Sequence, residues 1–241
     1  MEYREFVPRS PLRDYVRCIW TLRSSGGGLE RVLPDGTCEI VLNRGDPFRH
    51  AGRVQPRAMV VGQMPRFMEI EPTGAVDLLG IRFRPGGLFP FLRAPMSELT
   101  GGWADLGDID RPMRRELEGV RGPEEALLAR MRPANGAVAA AVAAIERGER
   151  RIDRIARDLA LHPRRLERMF QREVGVAPKL LSRIVRFQGV LRGSGDWVAV
   201  AQACGYYDQA HLIRDFREFA GEPPTAYFAR RHPMSDAFTG A

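Results

Sequence analysis

The chain has 241 residues, of which 44% are hydrophobic and 28% are charged, and its formal net charge is +7. This composition is typical of a soluble globular protein, and the length allows one large domain or two small ones. No apolar run is long enough to span a bilayer, and the opening residues, MEYREFVPRSPLRDYV, lack the apolar segment of a signal peptide. We therefore expect a cytoplasmic protein with no membrane partner.

Short β-like runs dominate the chain as far as about residue 100. Gly- and Pro-rich turns separate four of these runs: CIWTLR (18–23), CEIVLN (38–43), AMVVGQ (58–63) and VDLLGIRF (76–83). Short strands that are interrupted so regularly predict a small sandwich or barrel. After them, PGGLFPFLRAP (85–95) predicts a turn that leads into a short helix, and SELTGGWADLGDID (97–110) is expected to be a loop.

Two charged residues lie inside these apolar runs, Glu39 in CEIVL and Arg82 in GIRFR. Strand alternation favours the outer face of the sheet for both. If they point inward instead, they are pocket residues, because a buried charge needs a partner or a ligand. The large aromatic residues Trp20 and Trp103 are predicted to belong to the core rather than to a binding site.

Two helices are predicted in the middle of the chain. PEEALLARM (123–131) has a proline at a first-turn position followed by acidic residues, which suit a helix N-terminus. NGAVAAAVAAIERGER (135–150) is rich in alanine and predicts a second helix that links the domains or packs between them.

The last third of the chain is basic and predicts a series of short helices. Residues 149–232 carry 16 Lys+Arg against 10 Asp+Glu, so nearly all of the net positive charge lies here. A basic domain beside a near-neutral one indicates a polyanionic partner, although a solvated basic face gives the same balance. Apolar spacing and helix-end residues predict five helices: 152–161, 163–174, 178–192, 197–205 and 208–221.

Two segments of this region share one plan. IARDLALHPRRLERMFQREVG (155–175) and VAQACGYYDQAHLIRDFREFAG (200–221) each predict a short helix, a tight turn, a longer helix and a closing glycine. Both contain Leu-x-Arg-x-Phe followed by Gly-x-x-Pro, and the two copies lie about 46 residues apart. Two helix-turn-helix units, at 152–174 and 197–220, are therefore predicted.

The motif GYYDQAHLIRDF (205–216), followed by PPTAY (223–227), resembles the C-terminal signature of AraC/XylS-type transcriptional regulators. VLPDGTCEIVLN (32–43) and LLGIRFRPGG (78–87) resemble the N-terminal domain of one subgroup of that family. The resemblance implies an α+β fold. A β-rich sensor domain, often a cupin-like barrel, would precede an all-α domain in which a linker helix joins two helix-turn-helix units.

The expected domain boundaries follow from these motifs. Residues 1–118 form the β-rich effector or dimerisation domain, 119–148 a helical linker, 149–232 the DNA-binding domain and 233–241 a frayed tail. A catalytic cupin would need a metal, usually held by histidines, and the first domain contains only His50. No metal, no other cofactor and no catalytic residue are predicted.

The resemblance also assigns candidate DNA contacts. The base-reading candidates are Arg164, Glu167, Arg168, Gln209, His211 and Arg214; the phosphate candidates are Arg165, Arg172 and, on the linker helix, Arg183 and Arg186. Arginine can donate two hydrogen bonds to guanine and glutamate can accept one from cytosine, whereas phosphate contacts position the protein without specifying sequence. For the linker pair a solvated helix face is an equal alternative. Asp208 and Asp215 would repel phosphate if they faced it, so the second recognition helix either reads bases or contacts mainly the backbone.

These features predict a sequence-specific DNA-binding transcriptional regulator, not an enzyme, whose partners are double-stranded DNA and a small-molecule effector. A homodimer, and a contact with RNA polymerase if the protein activates transcription, complete the expected partners. Two alternatives stay open. One is a ligand-binding or interaction module that has lost DNA binding. The other is a DNA-repair methyltransferase with Cys38 as its nucleophile, which the lack of a basic residue beside Cys38 disfavours.

Overall fold

The computed structural model describes residues 1–92, 94–119, 122–193 and 197–229. The strands of this part of the chain are β1 (Glu2–Phe6), β2 (Val16–Ser24), β3 (Glu30–Val32), β4 (Cys38–Asn43), β5 (Phe48–His50), β6 (Arg53–Val54), β7 (Ala58–Val61), β8 (Met68–Pro72), β9 (Val76–Phe83) and β10 (Trp103–Asp105). Short 3-10 helices occupy Leu12–Asp14 and Met96–Leu99. Strands β2, β4, β7 and β9 confirm the four runs predicted from the sequence.

The helices of the described chain are α1 (Leu106–Glu118), α2 (Pro123–Leu128), α3 (Gly136–Glu146), α4 (Ile152–Asp158), α5 (Pro163–Glu173), α6 (Pro178–Leu191), α7 (Trp197–Ala203), α8 (Gln209–Phe219) and α9 (Pro224–Phe228). Helices α2 to α8 confirm the predicted helices, and each is somewhat shorter than its predicted run. None of the described helices combines the length and the apolar character needed to cross a membrane. The predicted tail, 233–241, lies outside the described residues.

The strands form two antiparallel sheets that stay open. The larger sheet has the order β1-β2-β9-β4-β7-β10, and the smaller sheet has the order β3-β8-β5-β6. Barrel closure requires a hydrogen-bonded circuit around the whole sheet. Strands β1 and β10 instead lie at opposite edges of the larger sheet, so the barrel considered from the sequence is corrected to a pair of open sheets.

Both faces of the larger sheet are covered. On one face Ile40 and Ile81 pack in a core with Leu106 of α1. On the other face Trp20 packs in a second core with Met68 of the smaller sheet. Because successive strand side chains point to opposite faces, alternate residues of β4 and β9 enter different cores.

This arrangement decides the direction of Glu39 and Arg82, which lie opposite each other in the register of β4 and β9. Both side chains point toward the smaller sheet, and Arg82 is only 4% exposed. The outer-face prediction is wrong because the smaller sheet covers this face. The strand pattern alone does not reveal that cover, since β3, β5 and β6 are only two or three residues long.

The prediction of a loop at 97–110 is wrong over most of this range. Strand β10 pairs with β7, with Trp103 opposite Val61, and α1 begins directly after it. The Asp105 side chain caps α1 by accepting a hydrogen bond from the Gly107 N–H at 2.6 Å. Glycine and aspartate indicated a turn locally, but pairing with a strand more than 40 residues earlier stabilises regular structure here.

The C-terminal helices enclose two apolar cores that share α6. Phe170 of α5 and Leu181 of α6 belong to the first core, which also contains Val142 of α3. Phe187 of α6 and Phe216 of α8 belong to the second core. Helix α3, which the sequence assigned to the linker, therefore packs as part of the first helix-turn-helix unit.

Gly80 of β9 lies directly opposite Trp20 of β2, and the indole ring occupies the space where a side chain would stand. A Cβ added at Gly80 would lie 2.0 Å from Trp20 Cε2. We expect Gly80→Ala to lower the free energy of unfolding by about 1–3 kcal/mol, because the core must shift to accept the methyl group. Urea denaturation measures this change.

The matched control is Gly136→Ala at the first position of α3, where an added Cβ meets no atom within 4 Å. This variant should unfold at the same or a slightly higher urea concentration, since alanine favours a helix more than glycine does. Equal unfolding midpoints for Gly80→Ala and the wild type would contradict the packing described for Trp20.

Candidate nucleic-acid interface

Helix α5 presents a polar face because its start and its apolar side are both held in place. Pro163 occupies the first helical position, and His162 Nδ1 accepts a hydrogen bond from the Arg164 backbone N–H at 3.3 Å. Leu166 and Phe170 are fully buried in the first helical core. The opposite side of the helix is therefore left to solvent.

The predicted contacts on α5 are all exposed: Arg164, Arg165, Glu167, Arg168 and Arg172. Within the described chain, no ion pair engages the first two arginines or Arg168. Arg172 differs, because its guanidinium group lies over the ring of Phe89 in the N-terminal domain, 5.7 Å from the ring centroid. Three uncompensated guanidinium groups on one helix give a positive potential that suits a polyanion.

Helix α8 is held in the same way at its start and along its apolar side. Asp208 caps the helix by accepting a hydrogen bond from the His211 backbone N–H at 2.7 Å. Phe216 is fully buried in the second helical core, whereas Gln209 and Arg214 are exposed. The Asp208 carboxylate is thus directed to the helix backbone, and its negative charge interacts favourably with the positive end of the helix dipole.

His211, a predicted base contact, is only half-exposed and lies against the linker helix. Its Nε2 atom is 2.8 Å from Arg186 Nη2, and its ring packs edge-on against Tyr206, with 5.2 Å between the ring centroids. Burial and the adjacent Arg186 guanidinium group lower the pKa of His211. Because a guanidinium group only donates, the contact requires Nε2 to accept. The base-contact role of His211 stays a prediction.

Asp215 lies at the centre of the contact between α6 and α8. Its side chain is 1% exposed, and it accepts hydrogen bonds from Nη2 of Arg183 and Nη2 of Arg186, each at 2.8 Å. The Tyr206 hydroxyl group donates a third hydrogen bond at 3.0 Å. Burial acts to raise the pKa of Asp215, but the two arginines outweigh it and lower that pKa. Asp215 therefore does not face an approaching phosphate.

The linker arginines, Arg183 and Arg186, are 26% and 10% exposed. Besides their bonds to Asp215, their guanidinium groups lie over aromatic rings, 4.9 Å from the centroid of Phe219 and 4.2 Å from that of Tyr206. The structure places both arginines in the contact between two helices, with their charge largely balanced. Their phosphate role stays a prediction.

Tyr207 is an exposed residue at this surface that the sequence did not single out. It lies in the turn between α7 and α8 and is 94% exposed, whereas the preceding Tyr206 is 4% exposed. A tyrosine hydroxyl group beside a recognition helix can donate a hydrogen bond to a phosphate. Two consecutive tyrosines give no local signal of which one is buried, so only packing distinguishes them.

The turn at residues 33–37, here called the interdomain turn, belongs to the N-terminal domain and packs against α6. Gln188 of α6 is buried, and its Nε2 donates a hydrogen bond to the Pro34 carbonyl oxygen at 2.7 Å. Gly36 has a left-handed φ of +80°, and a Cβ added there would lie 3.0 Å from Leu181 Cδ1. The N-terminal domain is thus in direct contact with α6, the helix between the two helix-turn-helix units.

The same turn forms part of the wall of a cavity of about 90 Å³ between the two sheets. Glu39 and Arg82 both line this cavity, together with Asp35 of the interdomain turn. Arg82 Nε is 2.6 Å from Glu39 Oε1 and 3.6 Å from Asp35 Oδ2, and Arg82 Nη1 is 3.4 Å from Glu5 Oε1. Burial raises the pKa of Glu39. Glu39 and Arg82 therefore point inward, as the second interpretation of the sequence proposed.

Cys38, the candidate nucleophile of the methyltransferase alternative, is 3% exposed in β4. Burial raises the pKa of its thiol to about 12, and the nearby Asp35 carboxylate acts in the same direction. A thiol with that pKa is protonated at neutral pH and is a poor nucleophile. The burial of Cys38 therefore argues against the methyltransferase alternative.

Removing the Asp215 carboxylate leaves Arg183 and Arg186 partly buried without their shared acceptor. We expect Asp215→Ala to lower the free energy of unfolding by about 3–5 kcal/mol. Because the folded-state pKa is lowered, the contribution of this carboxylate is present above the pKa of an unfolded aspartate, about 3.9, and is lost as pH falls through the folded-state pKa. Urea denaturation from pH 7 to pH 3 measures both effects.

The control for Asp215→Ala is Asp158→Ala, which removes an exposed carboxylate that lies 3.9 Å from Arg154 Nε. This control should change the free energy of unfolding by less than about 1 kcal/mol. As pH falls below about 4 toward the lowered folded-state pKa of Asp215, the wild type and the Asp215→Ala variant should approach each other in stability. Parallel pH profiles for the two proteins would contradict the proposed network.

No curated protein is detectably similar in sequence to the chain. Three solved structures of ToxT from Vibrio cholerae are similar to it. An apo variant from strain SCE256 is 11% identical with a TM-score of 0.47, covering 88% of this chain and 97% of that chain. A second ToxT structure is 9% identical with a TM-score of 0.49, covering 95% and 98%. ToxT from strain O395 is 9% identical with a TM-score of 0.46, covering 87% and 95%.

Two family models match the sequence in separate segments. Residues 4–104, which contain all of the described strands except the ends of β1 and β10, match a domain of unknown function, DUF6597. Residues 155–230 match a helix-turn-helix domain, and this match covers both predicted helix-turn-helix units except residues 152–154. The resemblance found in the sequence is thereby confirmed for the C-terminal segment. The chain therefore joins a DUF6597 domain to a helix-turn-helix domain, which is the type of C-terminal domain that the AraC/XylS resemblance predicts.

Proposed function

We propose that the chain is a transcriptional regulator that reads a specific duplex sequence through α5 and α8 and responds to a small molecule at its N-terminal domain. The observation that carries this proposal is the exposed face of α5. There Arg164, Arg165 and Arg168 have no ion-pair partner among the described residues. Such guanidinium groups on the second helix of a helix-turn-helix unit suit the major groove of DNA.

Base reading by α5 is assigned to its first two turns. Arg164 and Arg168 can each donate two hydrogen bonds to guanine O6 and N7, and Glu167 can accept a hydrogen bond from cytosine N4. Arg165 is assigned to a phosphate, and so is the exposed hydroxyl group of Tyr207 near the second unit. Helix α5 thus combines groups that specify sequence with a group that positions the helix.

Base reading by α8 rests on fewer side chains. Gln209 and Arg214 are exposed and are assigned to base edges, because amide and guanidinium groups can each form two hydrogen bonds to a purine. His211 contacts Arg186, and its base contact stays a prediction. The phosphate role of Arg183 and Arg186 stays a prediction, since Asp215 and Glu218 already balance much of their charge.

The two recognition helices are held in one relative position by α6. This helix has 14 residues and is therefore roughly 21 Å long. Successive major grooves on one face of a duplex lie about 34 Å apart. Because α6 is packed into both helical cores, the helices cannot separate freely, and we expect the DNA to bend toward the protein when both grooves are occupied.

Selection from a random duplex library at two salt concentrations tests this function. The wild type should enrich two short sequence blocks about one helical turn apart. Arg168→Ala should relax the preference at one base pair and cost about 1–3 kcal/mol of binding free energy. Arg165→Ala is the matched control on the same helix, and it should weaken all duplexes alike and reduce the salt slope by about 1.

The other outcomes of this selection are equally informative. One enriched block would assign α8 to backbone contact alone. No enrichment, together with no salt-dependent retention of duplex DNA, would overturn the proposal in favour of a ligand-binding or interaction module. An unchanged base preference in Arg168→Ala would remove Arg168 from the base-reading set.

Control by the N-terminal domain is proposed to pass through the interdomain turn, because Gln188 of α6 donates a buried hydrogen bond to Pro34. Gln188→Met keeps the size of the side chain but removes its donor, so the Pro34 carbonyl loses this partner. We expect the free energy of unfolding to fall by about 1–3 kcal/mol, and amide hydrogen exchange to quicken at residues 33–37.

The same variant should change affinity for the selected duplex without changing the base preference, since α5 and α8 keep their exposed side chains. The control is Gln202→Met on α7, whose side chain is exposed. Identical exchange rates and affinities for Gln188→Met and Gln202→Met would contradict a role of the interdomain turn in coupling the domains.

A further inference from the structure

We infer that the cavity between the two sheets binds a small, largely apolar primary amine, whose ammonium group pairs with the carboxylates at one end of the cavity. The inference rests on the proposed function in one respect, namely that this amine is the effector of the regulator. The binding site itself is argued from the side chains that line the cavity.

The size and the walls of the cavity select a small apolar body. Its volume is about 90 Å³, and its lining includes Trp20, Val41, Met59, Met64 and Leu78. An engineered protein cavity of roughly 150 Å³ binds benzene, so a four-carbon chain suits the smaller volume here. Methionine side chains adapt their shape readily, which allows the walls to close around such a ligand.

The charges that line the cavity select a cation over an anion. Asp35 and Glu39 contribute two carboxylates, and Arg82 is the one cationic side chain among the lining residues that the structure describes. Arg82 is also within ion-pair distance of Glu5 Oε1, so three carboxylates surround a single guanidinium group. A carboxylate ligand would increase this surplus of negative charge. An ammonium group would balance part of it.

Two further observations concern the polar groups that line the cavity. Burial raises the pKa of Glu39, and the Arg82 guanidinium group acts in the opposite direction. Gln55, which is 6% exposed and lines the cavity, has an Nε2 donor with no partner in the described part of the protein. This amide nitrogen only donates, so its partner would be an acceptor such as a water molecule in the cavity and not the ammonium group itself.

The position of the cavity gives the bound amine a route to the DNA-binding domain. Asp35 belongs both to the cavity lining and to the interdomain turn, and the turn contacts α6 through the bond between Gln188 and Pro34. Leu33, the first residue of the turn, packs in the second helical core and also lines the cavity. An ammonium group that draws on Asp35 would therefore act on a segment that touches α6.

Titration calorimetry of the full chain, without DNA, tests the ligand class with three probes of equal chain length: n-butylamine, butyrate and butan-1-ol. We expect butylammonium to bind at least about tenfold more tightly than either other probe, because only it can form a charged hydrogen bond to the carboxylates. Binding of butyrate or butan-1-ol that equals or exceeds that of butylammonium would overturn the inference. Absence of binding by all three probes would also overturn it.

A pair of variants locates the site. Glu39→Gln keeps the side-chain shape and should weaken butylammonium binding at least about tenfold. Glu71→Gln removes an exposed carboxylate of β8 that does not line the cavity, and its affinity should equal that of the wild type. Equal losses in the two variants would overturn the assignment. If Glu39→Gln does not fold, the comparison of the three probes on the wild type decides whether the protein prefers an amine.

The calorimetry tests amine binding and the duplex selection tests DNA binding, so either proposal can fail without the other. Duplex selection contains no amine, and calorimetry contains no DNA. Enrichment of a duplex without amine binding would remove the ligand assignment and leave the regulator. Amine binding without duplex enrichment would support the cavity site and remove its role as an effector site of a DNA-binding regulator.

Discussion

The arrangement of the C-terminal helices depends on α6 being buried in two cores at once. A short helix followed by one longer helix has too little apolar surface to form a core of its own, and each unit of this domain obtains the rest from α6. Leu181 contributes to the first core and Phe187 to the second. The positions of α5 and α8 are therefore coupled, and a segment that contacts α6 is in contact with the element that holds both of these proposed recognition helices.

Electrostatic pairing divides the arginines of this domain into two groups. On α6, Arg183 and Arg186 are joined to the buried Asp215, and their charge holds α8 in place. On α5, Arg164 and Arg168 are exposed and have no such carboxylate among the described residues. A buried carboxylate thus decides which guanidinium groups stabilise the domain and which are left for a polyanion.

One of the segments through which the N-terminal domain contacts the helices also encloses its cavity. Because the larger sheet is covered on both faces, the charged pair of Glu39 and Arg82 lies inside the domain, and Asp35 brings the interdomain turn to the same place. Pro34 then contacts α6 on the other side of the turn. One short segment therefore borders both the cavity and the linker helix, and this gives the proposed effector control a defined physical route.

Local sequence determined helices α2 to α8 to within a few residues, four of the strands and the duplicated helix-turn-helix plan, because caps such as Asp208 and apolar periodicity act over a few residues. The exposed base-reading candidates of α5 follow from the same periodicity. Only the tertiary structure decided that the sheets stay open and that Arg82 pairs with Glu39, 43 residues away. It also decided that Arg183 pairs with Asp215, 32 residues away, rather than facing solvent. Burial and ion pairing depend on elements that are distant in the chain, and no local pattern records which elements will cover a given face.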